Sequence, residues 1–144
     1  MTSPLRLIAS LATASCLAAA PVIAQDADVF ELDLNGALDT AEGGCRLTYV
    51  ATNLSDQEFE RTAFQVGVFD ADGAVTRLLV LEFGALVAGK TKILQFDLAG
   101  SPCATISRIV VNDVAACTLV GGATSELCLK GLVATSRTAI QFGI

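Results

Sequence analysis

The chain has 144 residues, 53% of them hydrophobic and 17% charged, which is enough for one domain and excludes an intrinsically disordered chain. Nine basic residues against fifteen acidic ones give a net charge of −6, which disfavours nucleic acid and anionic lipid as partners. Histidine is absent, and with it go the usual general base near neutral pH, the common serine and cysteine nucleophile arrangements and most zinc sites.

Residues 1–24 read as a cleaved secretory signal peptide. Arg6 supplies the positive end, an uncharged apolar stretch runs from Leu7 to Ala20, and Val22-Ile23-Ala24 places a cleavage site before Gln25. Pro21 and the Ala-rich core argue against an uncleaved anchor, since a span needs about 20 strongly apolar residues. Thr13-Ala14-Ser15 before Cys16 lacks the leucine usual at lipoprotein sites. The expected mature chain, 25–144, is a single periplasmic or secreted domain with no membrane span. Losing Arg6 leaves eight basic residues against fifteen acidic, a charge of −7.

From Asp28 onward the apolar period is two. Phe30, Leu32 and Leu34 alternate with Glu31, Asp33 and Asn35 as a half-buried strand that ends at Asn35-Gly36. Asp26, Asp28, Glu31 and Asp33 then form its wet face rather than a metal cluster. A second strand is expected from Leu47 to Thr52. Asn53-Leu54-Ser55-Asp56 follows as a loop; Asn53-Leu54-Ser55 matches a glycosylation acceptor but reads as a turn. Glu58 and Glu60 beside Arg61 read as a solvated loop.

A third strand spans Ala63 to Phe69. Asp70-Ala71-Asp72-Gly73 is a hairpin turn; as a calcium loop it would lack the glutamate at its twelfth position, which is Leu81. Val75 to Phe83 returns as a fourth strand. Its stretch Leu78-Leu79-Val80-Leu81 is apolar on both faces, so it is expected to be central or to contact a partner, by strand addition or face packing. After the loop Gly84 to Gly89 come strands at Thr91 to Leu98, Ile106 to Val111, Ala115 to Val120, Leu127 to Val133 and Thr138 to Ile144. About eight to nine short strands at intervals near ten residues, without an amphipathic helix, predict an all-β sandwich.

Without Cys16, four cysteines remain in the exported chain, Cys45, Cys103, Cys117 and Cys128, and they predict two structural disulfides. No Cys-x-x-Cys pair offers a redox centre. Counting alone leaves all three pairings open.

Asn53-Leu54-Ser55, then Val66 through Gly73, then Gly84-Ala85-Leu86-Val87-Ala88-Gly89-Lys90-Thr91 leading to Phe96, resemble the immunoglobulin-like modules, of CARDB and FxLYD type, common in exported bacterial proteins. The likeness covers roughly residues 45–98. It implies an antiparallel immunoglobulin-like sandwich serving as a binding or spacer unit, and no activity. Within that strand order Cys45 faces Cys103, and Cys117 and Cys128 staple the last hairpin across its Gly121-Gly122 loop.

The function expected from the sequence is a non-enzymatic binding or assembly module without cofactor or metal, whose partner is another exported or cell-envelope protein. Inhibition of a basic exported hydrolase such as lysozyme is the alternative, favoured by negative charge. A carboxylate-dependent enzyme, such as a glycosidase, ranks below both; one tyrosine and no tryptophan leave little for a sugar-stacking cleft.

Overall fold

The computed structural model describes residues 30–144; the leader, Cys16 and residues 25–29 lie outside the described residues. Alternating burial makes the strands. β1 (Phe30–Asp39), β2 (Cys45–Asn53), β3 (Phe59–Phe69), β4 (Val75–Leu86) and β5 (Thr91–Leu98) follow one another. A 3-10 turn at Cys103–Thr105 leads into β6 (Arg108–Leu119). The chain closes with a one-turn helix α1 (Leu127–Lys130), then β7 (Leu132–Ser136) and β8 (Gln141–Gly143). Two four-stranded sheets result: sheet A, ordered β5-β2-β1-β7, and sheet B, ordered β4-β3-β6-β8. They face each other as the expected sandwich.

The interior is aromatic. Tyr49, from β2, meets Phe83, Phe96 and Phe142 edge-on at centroid distances of 5.8, 5.9 and 5.2 Å. Phe30 of β1 contacts Phe64 of β3 across the two sheets, and Phe83 packs on Phe64 within sheet B. The Tyr49 hydroxyl is buried without a hydrogen-bond partner. Burial pushes its pKa upward, because the phenolate has nothing there to replace water.

Both disulfides form, Cys45–Cys103 and Cys117–Cys128. Two such bonds suit an oxidising environment. No helix among the described residues is long and apolar enough to cross a membrane.

Several boundaries differ from expectation, each for a physical reason. β1 continues past Asn35-Gly36 because a register shift between Leu34 and Gly36 absorbs the turn residues into the pairing with β2. Glu60 and Arg61 lie on β3 rather than in a loop, since β3 begins at Phe59, which is buried. The expected sixth and seventh strands are one strand, β6, with three register shifts against β3, two of them from extra residues in β6. The eighth begins as helix α1, so Cys117–Cys128 joins a strand to a helix and not two arms of a hairpin.

Nor is the sandwich wholly antiparallel. β7 pairs parallel with β1, and β8 parallel with β6. The chain reaches that arrangement by crossing from sheet A to sheet B between Ser136 and Gln141. Ser136 Oγ donates to the Ile140 carbonyl at 2.6 Å, and Thr138 Oγ1 accepts the Ile140 amide at 3.1 Å, which tightens the crossing.

Candidate interaction surface

Sheet A carries charge on its outer face. Arg46 grips Asp97 with two hydrogen bonds of 2.7 Å across β2 and β5. On β1, burial by itself raises the Asp33 pKa. Hydrogen bonds from Thr135 (2.7 Å) and Asn35 (3.0 Å), with the Arg137 guanidinium at 3.2 Å, outweigh it and hold the carboxyl below its ordinary 3.8. These groups satisfy one another, and the same face also carries exposed Ile93 on edge strand β5 and Val133 on β7.

Sheet B presents a different surface. Leu78 and Val80 point outward from edge strand β4, 57% and 49% exposed. Register places Leu78 beside Gly67, Gly67 beside Val110 and Val110 beside Gly143, so a row low in side-chain relief crosses all four strands. The Arg108 guanidinium stacks over the Phe69 ring at 4.2 Å, bordering the row with a cation. Gln65 and Asn112 are bonded at 2.6 Å on the same face.

Of the four residues expected to form a partner surface, the structure exposes two. Leu81 is buried in the core and Leu79 packs partly against it, because successive side chains on a strand face opposite ways. The doubly apolar stretch is an edge strand with one face inside and one outside, not a central strand.

That edge is partly guarded. One residue, Phe83, is extra in β4 relative to β3, since Thr62 faces Gly84 and Ala63 faces Glu82. Gly84 takes the left-handed φ of 69° that this bulge requires. Lys92 Nζ, from β5, then donates to the Phe83 carbonyl at 2.7 Å and the Ala85 carbonyl at 3.2 Å. Arg61 binds Glu82 nearby through Nη2 at 2.7 Å; that hydrogen bond is the main reason the Glu82 carboxyl ionises below its ordinary value.

No protein-family model, curated protein or solved structure matches the chain. Its own geometry is therefore what speaks for function.

The other residues singled out in the sequence have structural roles. Asp70 Oδ1 accepts the Asp72 and Ala74 amides at 3.0 and 2.9 Å, and Gly73 has φ 81°, which is the hairpin turn the sequence describes. Asn53 is fully buried. Its amide donates to the carbonyls of Gln57 (2.7 Å) and Leu86 (3.3 Å), while its oxygen accepts from the Ser55 amide and hydroxyl. A side chain so enclosed is no sugar acceptor in the folded protein; it pins β2, the following loop and the end of β4 together.

Sequence reasoning missed one feature, a groove of about 460 Å³ between β6 and α1, lined by Ala115, Ala116, Glu126, Leu129 and Lys130 together with Arg61 of β3. Its signal was weak: two adjacent small residues, Ala115 and Ala116, in a strand whose neighbour could not be read locally.

Proposed function

We propose that the mature chain is a non-enzymatic binding or assembly module of the periplasm or cell exterior, contacting another exported or cell-envelope protein. The observation that carries this reading is the pair Leu78 and Val80, large aliphatic side chains held in water on an edge strand, with flat Gly67 beside Leu78. Covering such surface yields about 25 cal/mol per Å², whereas leaving it open gains nothing for the isolated domain. The two disulfides support export, because a reducing cytosol would not sustain them. The rigid aromatic core supports a presenting scaffold.

The test is a photo-crosslinking amino acid at position 78 of the full chain, expressed in its native host. A discrete adduct that disappears in a Leu78→Asp/Val80→Asp variant of unchanged circular dichroism supports the module. A monomer without adduct at native concentration defeats it.

Inhibition of a basic exported hydrolase remains the second reading, carried by the net charge of −6. Undiminished lysozyme activity at a large molar excess of the mature protein removes it.

A further inference from the structure

Asn35 alone among the residues of β1 has no partner on either neighbouring strand. Pairing with β2 passes from Leu34–Tyr49 directly to Gly36–Thr48, and pairing with β7 stops at Leu34. The residue left over at such a shift interrupts the ladder and marks where it opens at least cost. The Asn35 side chain is exposed, and its amide nitrogen donates to Asp33 Oδ1 at 3.0 Å. Gly36 follows, with no Cβ to cover its backbone nitrogen.

The chain's two other asparagines are placed differently. Asn53 is fully buried, its amide donating to the Gln57 and Leu86 carbonyls, and Leu54 follows it. Asn112 also lies at a register shift, between the pairs Gln65–Asp113 and Val66–Val111. Its Nδ2, however, donates to Gln65 Oε1 at 2.6 Å, and the side chain of Asp113 stands beside the next backbone nitrogen. Exposure, a ladder break and a following glycine coincide once, at Asn35.

We propose that Asn35 is a site of spontaneous deamidation, and that its conversion weakens the tie between β1 and the end of β7. When the Gly36–Thr48 pair opens, the Gly36 nitrogen gives its proton to hydroxide and attacks Asn35 Cγ. A carbon–nitrogen bond forms to Gly36, the bond from Cγ to Nδ2 breaks, and Nδ2 leaves as ammonia with a proton from water. Water then opens the resulting succinimide at either carbonyl, leaving an aspartate or an isoaspartate. Water is the only co-reactant.

Either product replaces a hydrogen-bond donor to Asp33 with a second carboxylate. Asp33 loses a bond and gains a like charge beside it, while the same carboxyl still has to accept Thr135 Oγ1 at 2.7 Å and Arg137 Nε at 3.2 Å. Isoaspartate also lengthens the main chain by a methylene at the shift. The site lies on sheet A, so it stands independently of the β4 surface.

The test holds the oxidised mature protein in mildly alkaline buffer at body temperature for several weeks, with peptide mapping by mass spectrometry at intervals. Asn35 is expected to convert severalfold faster than Asn112, and Asn53 to stay intact. Gly36→Ala is expected to slow conversion severalfold and keep the fold, because the added Cβ would meet only the Thr48 side chain, at 3.5 Å. Asn35→Asp carries the product's charge from the start. It is expected to lower the urea midpoint and to speed amide exchange along Leu132 to Ser136. Conversion of Asn112 ahead of Asn35, or of Asn35 only in urea-unfolded protein, overturns the site. So does an unslowed rate in folded Gly36→Ala; should that variant fold poorly, the ranking of the three wild-type asparagines decides alone. A wild-type midpoint and exchange pattern in Asn35→Asp overturns the weakened tie.

Discussion

Lys92 of β5 donates its ammonium to the Phe83 carbonyl of β4 across a 2.7 Å gap, so an edge strand of one sheet caps an edge strand of the other. The Gly84 bulge makes this meeting possible, because it leaves the Phe83 and Ala85 carbonyls where a single ammonium reaches both.

Replacing Lys92 by Met keeps the aliphatic stem and removes the donor. The expected loss is about 1–2 kcal/mol, seen as a lower urea midpoint. Light scattering at high protein concentration should rise as well, since β4 then offers uncapped carbonyls to other molecules. An unchanged midpoint with no added scattering contradicts the capping role.

Asn53→Ala removes a buried amide and abandons the hydrogen-bonding groups of Ser55, Gln57 and Leu86. About 2–4 kcal/mol of stability should go with it. Asn53→Asp tests the geometry separately: the oxygen bonds to Ser55 persist, but two carbonyls now face a carboxylate, and the loss should be at least as large by thermal melting.

The two bridges should respond differently to reductant. Cys103 is only partly covered, whereas Cys117 and Cys128 are buried, so Cys45–Cys103 should open first under native conditions. Deleting it should also cost more, about 4 kcal/mol against about 3, because it closes a loop of 58 residues and its counterpart one of 11. Timed alkylation with mass spectrometry checks the order, and paired Cys→Ser variants check the magnitudes.

Tyr49 is the only tyrosine, so absorbance at phenolate wavelengths reports on it alone. Burial raises its pKa above the ordinary 10.0. Stability contributed by keeping the phenol neutral is therefore full below pH 10 and falls as pH rises beyond it. Phenolate should appear together with alkaline unfolding, not as a separate step near pH 10. Tyr49→Phe removes the partnerless hydroxyl and should raise stability by about 1 kcal/mol.

Acid has the mirrored effect. Asp33, Glu82 and Asp97 all ionise more readily in the folded chain than their ordinary values of 3.8, 4.5 and 3.8. Their contribution is present above those values and is lost as pH falls below them and the folded groups finally take up protons. Denaturant midpoints should be flat between about pH 5 and about pH 9 and decline below about pH 4. Asp33→Asn should flatten that decline; an identical acid limb in the variant would dismiss Asp33 as a contributor.

Much of the fold is legible in local alternation. Phe30-Leu32-Leu34 and Phe64-Val66-Val68 announce buried faces, Asp70-Ala71-Asp72-Gly73 announces its turn, and the cysteines pair as expected, Cys45 with Cys103 and Cys117 with Cys128. What local pattern hides is which strand lies next to which. β7 takes its place beside β1 through pairings such as Phe30 with Leu132, about which neither segment says anything by itself. The short helix at Leu127–Lys130 reads as strand because Leu127, Leu129 and Gly131 alternate with polar residues and Cys128. The surface was half legible. Leu78 to Leu81 flagged the strand, but only the outer face of the pleat separates Leu78 and Val80 from their buried neighbours.

The crossing at Ser136 to Gln141 gives the closing segment an uncommon double duty, because residues 132–143 supply the terminal strand of both sheets. Any channel or ribosome that releases this chain from its N-terminus delivers those residues late, after β1 has waited some hundred positions for its neighbour. Until they arrive, Phe30 lacks its pairing with Leu132 and Ile109 its pairing with Phe142, so each sheet is one strand short.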